Sequence, residues 1–417
     1  MSTKSVLTKG DGLFNTHVFL EDVKSVIAKQ MGPAAFELSE DVKLTAVGDG
    51  NGFMSQVILV DPSDSPALHP KFILKIASCL HFQQICEKFK SNGSVHQFTP
   101  EMEAAMMKNM EIHAQELHNR EVNFYELVKK WDGHWELMTP KMYFSNKFDD
   151  ENRIKGFLGL EYDQDSEVRH LYENVKVEEL LPILKSLAFL QVKSLEMTES
   201  DKESIGEFDF EKLFSQMLSE TGLNGILDAV RILDVNRFGE KVKKLEKFGM
   251  KLVNFGLASG LNKHNGILQD VLVHGDLWSA NILWKRVSGT FSVNKIIDYQ
   301  LIHFGNPAED LVRLFLTTLS GADRRANWEK LLEQFYEYFV EFFGEKPVPY
   351  TLEQLKQSYR CYFVTGGLVV LPMFGPLAEI KMNQNGGSEN AAEHQEVLLE
   401  KAECLLEDIA QFQSYNC

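Results

Sequence analysis

The sequence predicts an α+β fold in two parts. Residues 1–160 read as a small antiparallel sheet with one key helix, and residues 161–417 read as mainly helical. Three observations carry this. Short apolar runs broken by glycine and polar turns fill the first part, at 42–47, 55–60 and 72–76. Past residue 180 the apolar spacing becomes helical, as in Leu180, Leu181, Ile183, Leu184, Leu187, Leu190 and Val192. Between two further apolar runs, Val271-Leu272-Val273 and Ile282-Leu283-Trp284, lies the string His274-Gly275-Asp276-Leu277-Trp278-Ser279-Ala280-Asn281.

The elements follow in order. Val23, Val26 and Ile27 after Val18-Phe19-Leu20 predict a leading helix. The run 42–47 enters Gly48-Asp49-Gly50-Asn51-Gly52 and leaves along 55–60. Strand, glycine-rich turn, strand is the layout of a loop that covers phosphates, because glycine lets backbone N–H groups approach an anion without a side-chain clash. An ordinary hairpin turn has the same pattern. The run 72–76 is a third strand with one lysine, Lys75, inside it. Such a lysine either snorkels at an edge or points at phosphate. The polar stretch 78–104 reads as an inserted loop and helix, and 101–130 as a long helix rich in acids. Further strands are expected at 135–140 and 156–162, and more helix over 208–262, with the lysines of 241–251 on a solvated face. The apolar stretch 361–376 has about the length of a short membrane helix. Gly366-Gly367, Pro372 and Pro376 break it, so it reads as a buried helix. A Gly/Asn-rich loop at 382–388 precedes a final helix over 390–413.

Asp276 and Asn281 have the spacing of the H-R-D-L-x-x-x-N catalytic loop of protein kinases. Further on, Lys295-Ile296-Ile297 ends in Asp298, an apolar strand with a terminal carboxylate. Phosphoryl transfer leaves a protein little covalent chemistry, so positioning and charge neutralisation dominate. One carboxylate, Asp276, faces the acceptor hydroxyl as catalytic base. One amide oxygen and one carboxylate, Asn281 and Asp298, face Mg2+, which takes hard oxygen ligands and keeps some of its waters. Alone, His-Gly-Asp is a weak signal, since Asp after Gly often only closes a turn. His274 is read as a brace of the loop backbone.

These residues resemble the aminoglycoside-phosphotransferase and choline-kinase superfamily, whose motif is H-x-D-x-x-x-x-N. The fuller strings VLVHGDLWSANILW and IIDYQLIHFGNPAEDLVRLF are most similar to CHK-kinase-like and ecdysteroid-kinase-like proteins, nematode members above all. The resemblance runs from about residue 40 to the C-terminus. It implies a bilobal protein-kinase-like fold, ATP and Mg2+ as cofactors, and an alcohol as acceptor. It also implies that Lys75 holds the α- and β-phosphates under a loop with Gly48, Gly50 and Gly52. Glu121, which matches the family's E-x-x-F-Y pattern in Glu121-Val122-Asn123-Phe124-Tyr125, pairs with that lysine. Adenine is expected at a hinge, on the backbone near Glu161 and Tyr162. Asn306 and Pro307 start a helix, with Glu309 reaching back as in a capping box. That places Asp310 in the first turn, where the family uses it to support the catalytic loop. Asp298-Tyr299-Gln300 replaces the protein-kinase Asp-Phe-Gly and argues against a protein substrate.

Composition sets the outer bounds. The 417 residues are 44% hydrophobic and 25% charged, ordinary for a globular chain. The formal charge of −17 disfavours nucleic acid and anionic membrane as partners. Five cysteines without paired spacing, and an N-terminus without the apolar core of a signal peptide, set the expectation of a cytoplasmic protein. The expected acceptor is a small-molecule alcohol: steroid-like, glycosylated or choline-like. Its pocket is expected around Trp278, Phe304, Met373 and Phe374. The rival readings are a choline or ethanolamine kinase proper, and an inactive nucleotide-binding scaffold of the same fold.

Overall fold

The structure is a computed structural model that describes residues 4–32, 38, 42–48, 54–62, 70–81, 100–374 and 391–416, with the side chains of 100–108 left out. Gly50, Gly52 and the 382–388 loop fall outside the described residues. The chain forms two compact units, Met1–Lys130 with Thr139–Gln164, and Trp131–Met138 with Asp165–Cys417. The sequence reading cut the chain once, at 160; here a short segment, Trp131–Met138, belongs with the second unit.

The first unit is built on a five-stranded sheet in the order β1 (Lys43–Ala46), β2 (Ser55–Asp61), β3 (Phe72–Ala77), β5 (Phe157–Glu161), β4 (Met142–Asn146). All its neighbours pair antiparallel. Side chains alternate faces along a strand. Phe72, Leu74 and Ile76 of β3 join Ile58, Val60, Phe144 and Phe157 in one apolar cluster. Helix α1 (Leu20–Met31) closes that cluster with Val23 and Ile27. Lys75 therefore points to the opposite face of the sheet. There it meets α2 (Pro100–Val128), the long helix expected from the sequence.

One expected strand is absent. Residues 134–137 form a 3-10 turn instead of a strand over 135–140, and β4 starts at Met142. Gly133 at φ 77° and Met138 at φ 55° flank the turn in the left-handed region, which an extended strand cannot accommodate. Trp135 is 70% exposed, so the aromatic that suggested a strand packs into no sheet.

The second unit is mainly helical. The buried helix α3 (Leu181–Leu195) packs on Gly321–Phe343. The apolar stretch from 361 belongs to Leu352–Val370, a single helix that runs through Gly366 and Gly367. The glycines do not break it; they let its neighbours approach. A Cβ on Gly366 would sit 2.8 Å from Val312, and one on Gly367 3.1 Å from Ile409 and Leu405. The helix ends before Pro372. No helix among the described residues is long and apolar enough to cross a membrane. Two small sheets complete the unit: β7 (Val271–Val273) with β10 (His303–Gly305), and β6 (Glu167–Val168), β8 (Ile282–Val287) and β9 (Thr290–Ile296).

Candidate active site

In the first unit, Lys75 Nζ lies 2.6 Å from Glu121 Oε2, with both side chains at most 10% exposed. A buried lysine needs such a partner to stay charged. One turn before Glu121, His118 bonds the carbonyl of Asn146 through Nε2, and burial pushes its pKa down to about 4. It is therefore a neutral brace near the lysine. Gly48, at φ 74°, opens the turn after β1 in a conformation that favours glycine. Glu161 ends β5; its N–H is already bonded to the Lys141 carbonyl and its carboxylate to the Lys141 N–H. That N–H is therefore unavailable to a nucleobase. Tyr162 follows it in the chain as the remaining backbone candidate.

In the second unit the loop 274–281 leaves β7 and enters β8. His274 is fully buried. The N–H of Asp276 donates to its Nδ1, so Nε2 carries the proton and donates to the carbonyl of Ile297, 3.0 Å away. His274 is thus a brace, joining the loop to the segment that ends in Asp298. Gly275 stands at φ 78°, and a Cβ there would come 2.3 Å from the Leu301 carbonyl oxygen. Only glycine fits.

Asp310 clamps the loop from the helix Glu309–Thr318. Its carboxylate accepts the backbone N–H groups of His274 at 2.6 Å and Gly275 at 2.9 Å. The helix starts later than expected, at Glu309, yet the reciprocal bonds form: the Asn306 N–H donates to Glu309, and the Asn306 side chain accepts from the Ala308 N–H. The order of elements thus sets both the clamp and the helix that carries it.

Burial raises the Asp310 pKa to about 6, against the pull of its two N–H donors. The ordinary value is 3.8, so between pH 4 and 6 the folded state binds a proton that the unfolded state does not. The contribution of Asp310 to stability is thus present in full below pH 4 and is lost as pH rises through about 6. Expressed as melting temperature, wild type should gain on Asp310→Asn as pH falls from 6.5 to 4.5. Parallel profiles for the two proteins across that range would refute this.

Asp276 itself is held at both ends. Oδ1 pairs with Arg313 Nη2 at 2.5 Å, and Oδ2 takes a hydrogen bond from Asn281 Nδ2 at 3.2 Å. The same Asn281 NH2 donates to the Asp276 carbonyl at 2.8 Å. With its nitrogen spent there, the amide oxygen of Asn281 is the atom left for a cation. Asp298 comes close through the β8–β9 hairpin: Ile282 pairs with Ile296, and the Ile297 N–H donates to the Asn281 carbonyl. Asp298 then sits at φ 70°, a backbone conformation uncommon outside glycine and typical of functional sites. Amide oxygen plus carboxylate is a hard, all-oxygen donor pair that suits Mg2+.

The expected acceptor wall is only partly found. Phe304 lines a pocket of about 190 Å³ with Phe208, Phe210, Asn262, His303 and Tyr362. A smaller adjoining pocket reaches Gly275, Asp310 and Arg313. Met373 and Phe374 line neither pocket. They belong to a 3-10 turn packed on the helices Glu220–Arg231 and Ala391–Phe412; Phe374 is 2% exposed and a core residue, whereas Met373 is half-buried. Trp278 is half-buried and lines neither. Two contributions escaped the sequence reading. The Phe208–Phe210 segment carries no motif. Arg313 had a usable signal, since it lies three residues after Asp310 and so on the same helix face.

A sheet unit with a buried Lys–Glu pair, and a helical unit with this loop, define a protein-kinase-like fold. The chain belongs to the DUF1679 family, described as "Uncharacterized oxidoreductase dhs-27", whose model matches residues 6–417. It is similar to the "Uncharacterized kinase-like protein D1044.1" of Caenorhabditis elegans, 26% identical over 274 residues, which are 61% of this chain and 65% of that protein. It is also similar to "Uncharacterized oxidoreductase dhs-27" of the same organism, 25% identical over 343 residues, 79% of this chain and 39% of that protein. The chain thus matches less than two thirds of the length of either relative. Among solved structures, an ethanolamine kinase of Plasmodium vivax aligns with TM-score 0.44 and 14% identity over 95% of this chain and 91% of that one.

Proposed function

We propose that the chain is an ATP- and Mg2+-dependent phosphotransferase acting on a hydroxyl of a small-molecule alcohol. The single observation that carries this is the arrangement at Asp276. Its carboxylate is tied at both oxygens, the two residues before it are clamped through their N–H groups by Asp310, and the segment leading to Asp298 is bonded to the Asn281 backbone. In this reading Lys75, set by Glu121, holds the α- and β-phosphates, and Gly48 covers them. Asn281 and Asp298 would hold the metal, which neutralises phosphate charge when bound. Asp276 orients the acceptor hydroxyl and takes its proton as the oxygen bonds to the γ-phosphorus and the bond to ADP breaks. The acceptor rests in the pocket of Phe304, Phe208 and Tyr362, whose rings stand beside the polar side chains of Asn262, Asp270 and Glu309.

An oxidoreductase reading has less support. The glycine-rich stretch from Gly48 lies in sequence between two antiparallel strands, β1 and β2. A dinucleotide fingerprint instead opens a helix within a parallel βαβ unit. The charge of −17 supports a small acceptor rather than a nucleic acid.

Calorimetric titration of Mg-ATP into wild type and Asp298→Ala tests the reading. Loss of a charged metal ligand is expected to weaken Mg-ATP binding by roughly 10- to 100-fold. Binding in the absence of magnesium should change little. Equal affinity and equal magnesium dependence in the two proteins would overturn it. Screening ATP turnover against choline-like, steroid and glucoside alcohols then identifies the acceptor class.

A further inference from the structure

We infer that Arg313 is a positioning residue for the transfer, acting through Asp276; this rests on the function proposed above. Three observations carry it. The loop 274–281 contains no lysine or arginine of its own, so a cation beside Asp276 must come from elsewhere in the chain. Arg313 supplies one, with Nη2 2.5 Å from Oδ1 and both side chains at most 16% exposed. Finally, the guanidinium is not part of a general surface network. Its Nε is buried and lacks a hydrogen-bond partner among the described residues, and among them its ion pair is with Asp276.

The geometry explains why a helix delivers this cation. Asp310 and Arg313 lie three residues apart and share one face of Glu309–Thr318. From that face Asp310 fixes the backbone of His274 and Gly275, and Arg313 fixes the carboxylate of Asp276. Asn281 holds the other carboxylate oxygen. The base is thereby set in one rotamer before any acceptor arrives. Sites built on helices hold their groups more tightly than sites built on loops. Phosphoryl transfer depends chiefly on positioning, so a carboxylate fixed in one rotamer serves to orient the hydroxyl. Arg313 also lines the small pocket with Tyr362, Glu309 and His303, three residues that line the larger pocket of Phe304 as well.

The test is a rate cycle on the full chain, with Mg-ATP and either water or the best alcohol of the panel as acceptor. Arg313→Met is expected to lower kcat by about 10- to 100-fold, the scale of a misplaced catalytic group, and to leave KM for ATP within about twofold. Arg313→Lys should recover part of the loss. The double variant with Asp276→Asn should be no slower than Asp276→Asn alone, because Arg313 then has no carboxylate to position. Millimolar guanidinium should restore turnover to Arg313→Ala, an arm that decides the matter if the Asp276→Asn rate falls below detection or Arg313→Met fails to fold. A further loss in the Asp276→Asn background, or a rise in KM for ATP that tracks a fall in Tm, would assign Arg313 a merely structural role. Full activity in Arg313→Met, or no guanidinium rescue, would overturn the inference. Asp276→Asn with wild-type turnover would overturn the base assignment instead. A wild type that consumes no ATP with water or any alcohol overturns the proposed function, and this inference with it.

Discussion

Asp276→Asn is expected to reduce phosphoryl transfer by roughly 10²- to 10⁴-fold while Mg-ATP still binds, because the substitution keeps the side-chain shape and removes the proton acceptor. The hydrogen bond from Asn281 Nδ2 to the Asp276 carbonyl survives the change, since it uses the backbone. So do the two bonds from Asp310, which hold the backbone of His274 and Gly275. The loop should therefore keep its path. The ion pair with Arg313 is lost, but the amide can still accept a hydrogen bond from the guanidinium. Steady-state kinetics on an identified acceptor, paired with calorimetry of Mg-ATP, separate the two effects. Retention of wild-type turnover in the purified variant would remove Asp276 from the role of base.

The second large effect concerns stability. Lys401 is wholly buried in the helix Ala391–Phe412, and its Nζ donates to the carbonyls of Leu171 at 2.9 Å, Thr317 at 3.1 Å, Thr318 at 3.3 Å and Glu173 at 3.4 Å. Thr317 and Thr318 end the helix that carries Asp310 and Arg313, where carbonyls lack intrahelical partners. A cation there also suits the negative end of the helix dipole. Lys401→Met keeps the apolar stem and strands several carbonyls without a donor. The expected cost is about 3–5 kcal/mol, given ~1–3 kcal/mol for each buried group left unsatisfied and partial relaxation. Calorimetric scanning should show a drop in Tm of roughly 6–15 °C.

The pH dependence of Lys401 has a definite sign. Burial pulls its pKa down to about 7, so between pH 7 and 10.5 the unfolded chain binds a proton that the folded chain does not. Stability from this group rises with pH across that window, and Lys401→Met should lack the rise. A variant as stable as wild type at every pH would mean that the carbonyls find other donors.

Much of the site was legible because its chemistry is local in sequence. His274, Asp276 and Asn281 lie within eight residues, bounded by two apolar runs that the structure shows to be strands. Lys75 stood out as one charge in an apolar strand, and strand periodicity turned it from the core of Phe72, Leu74 and Ile76. What escaped was non-local. Phe208 stacks on His303 with ring centroids 3.8 Å apart, a contact that joins segments nearly a hundred residues apart and leaves no spacing to read. Met373 and Phe374 looked like a pocket wall because they belong to the apolar, proline-broken stretch 361–376. The same composition serves a packed core, and only their neighbours distinguish the two.

By itself, the sequence determined the α+β class, the antiparallel pairing of the first strands, the loop of His274, Asp276 and Asn281, and the reciprocal bonds of Asn306 and Glu309 that precede the helix of Asp310. Each depends on periodicity, capping or spacing over a few residues, where local physics dominates. The tertiary structure alone decided that Gly366 and Gly367 would sit inside a helix, since close packing on Val312 and Ile409 outweighs their poor helix propensity. It alone decided that residues 134–137 turn rather than extend. And it alone brought Arg313 to Asp276, because an ion pair between a loop and a helix more than thirty residues on is set by how the helix docks, which no local pattern encodes.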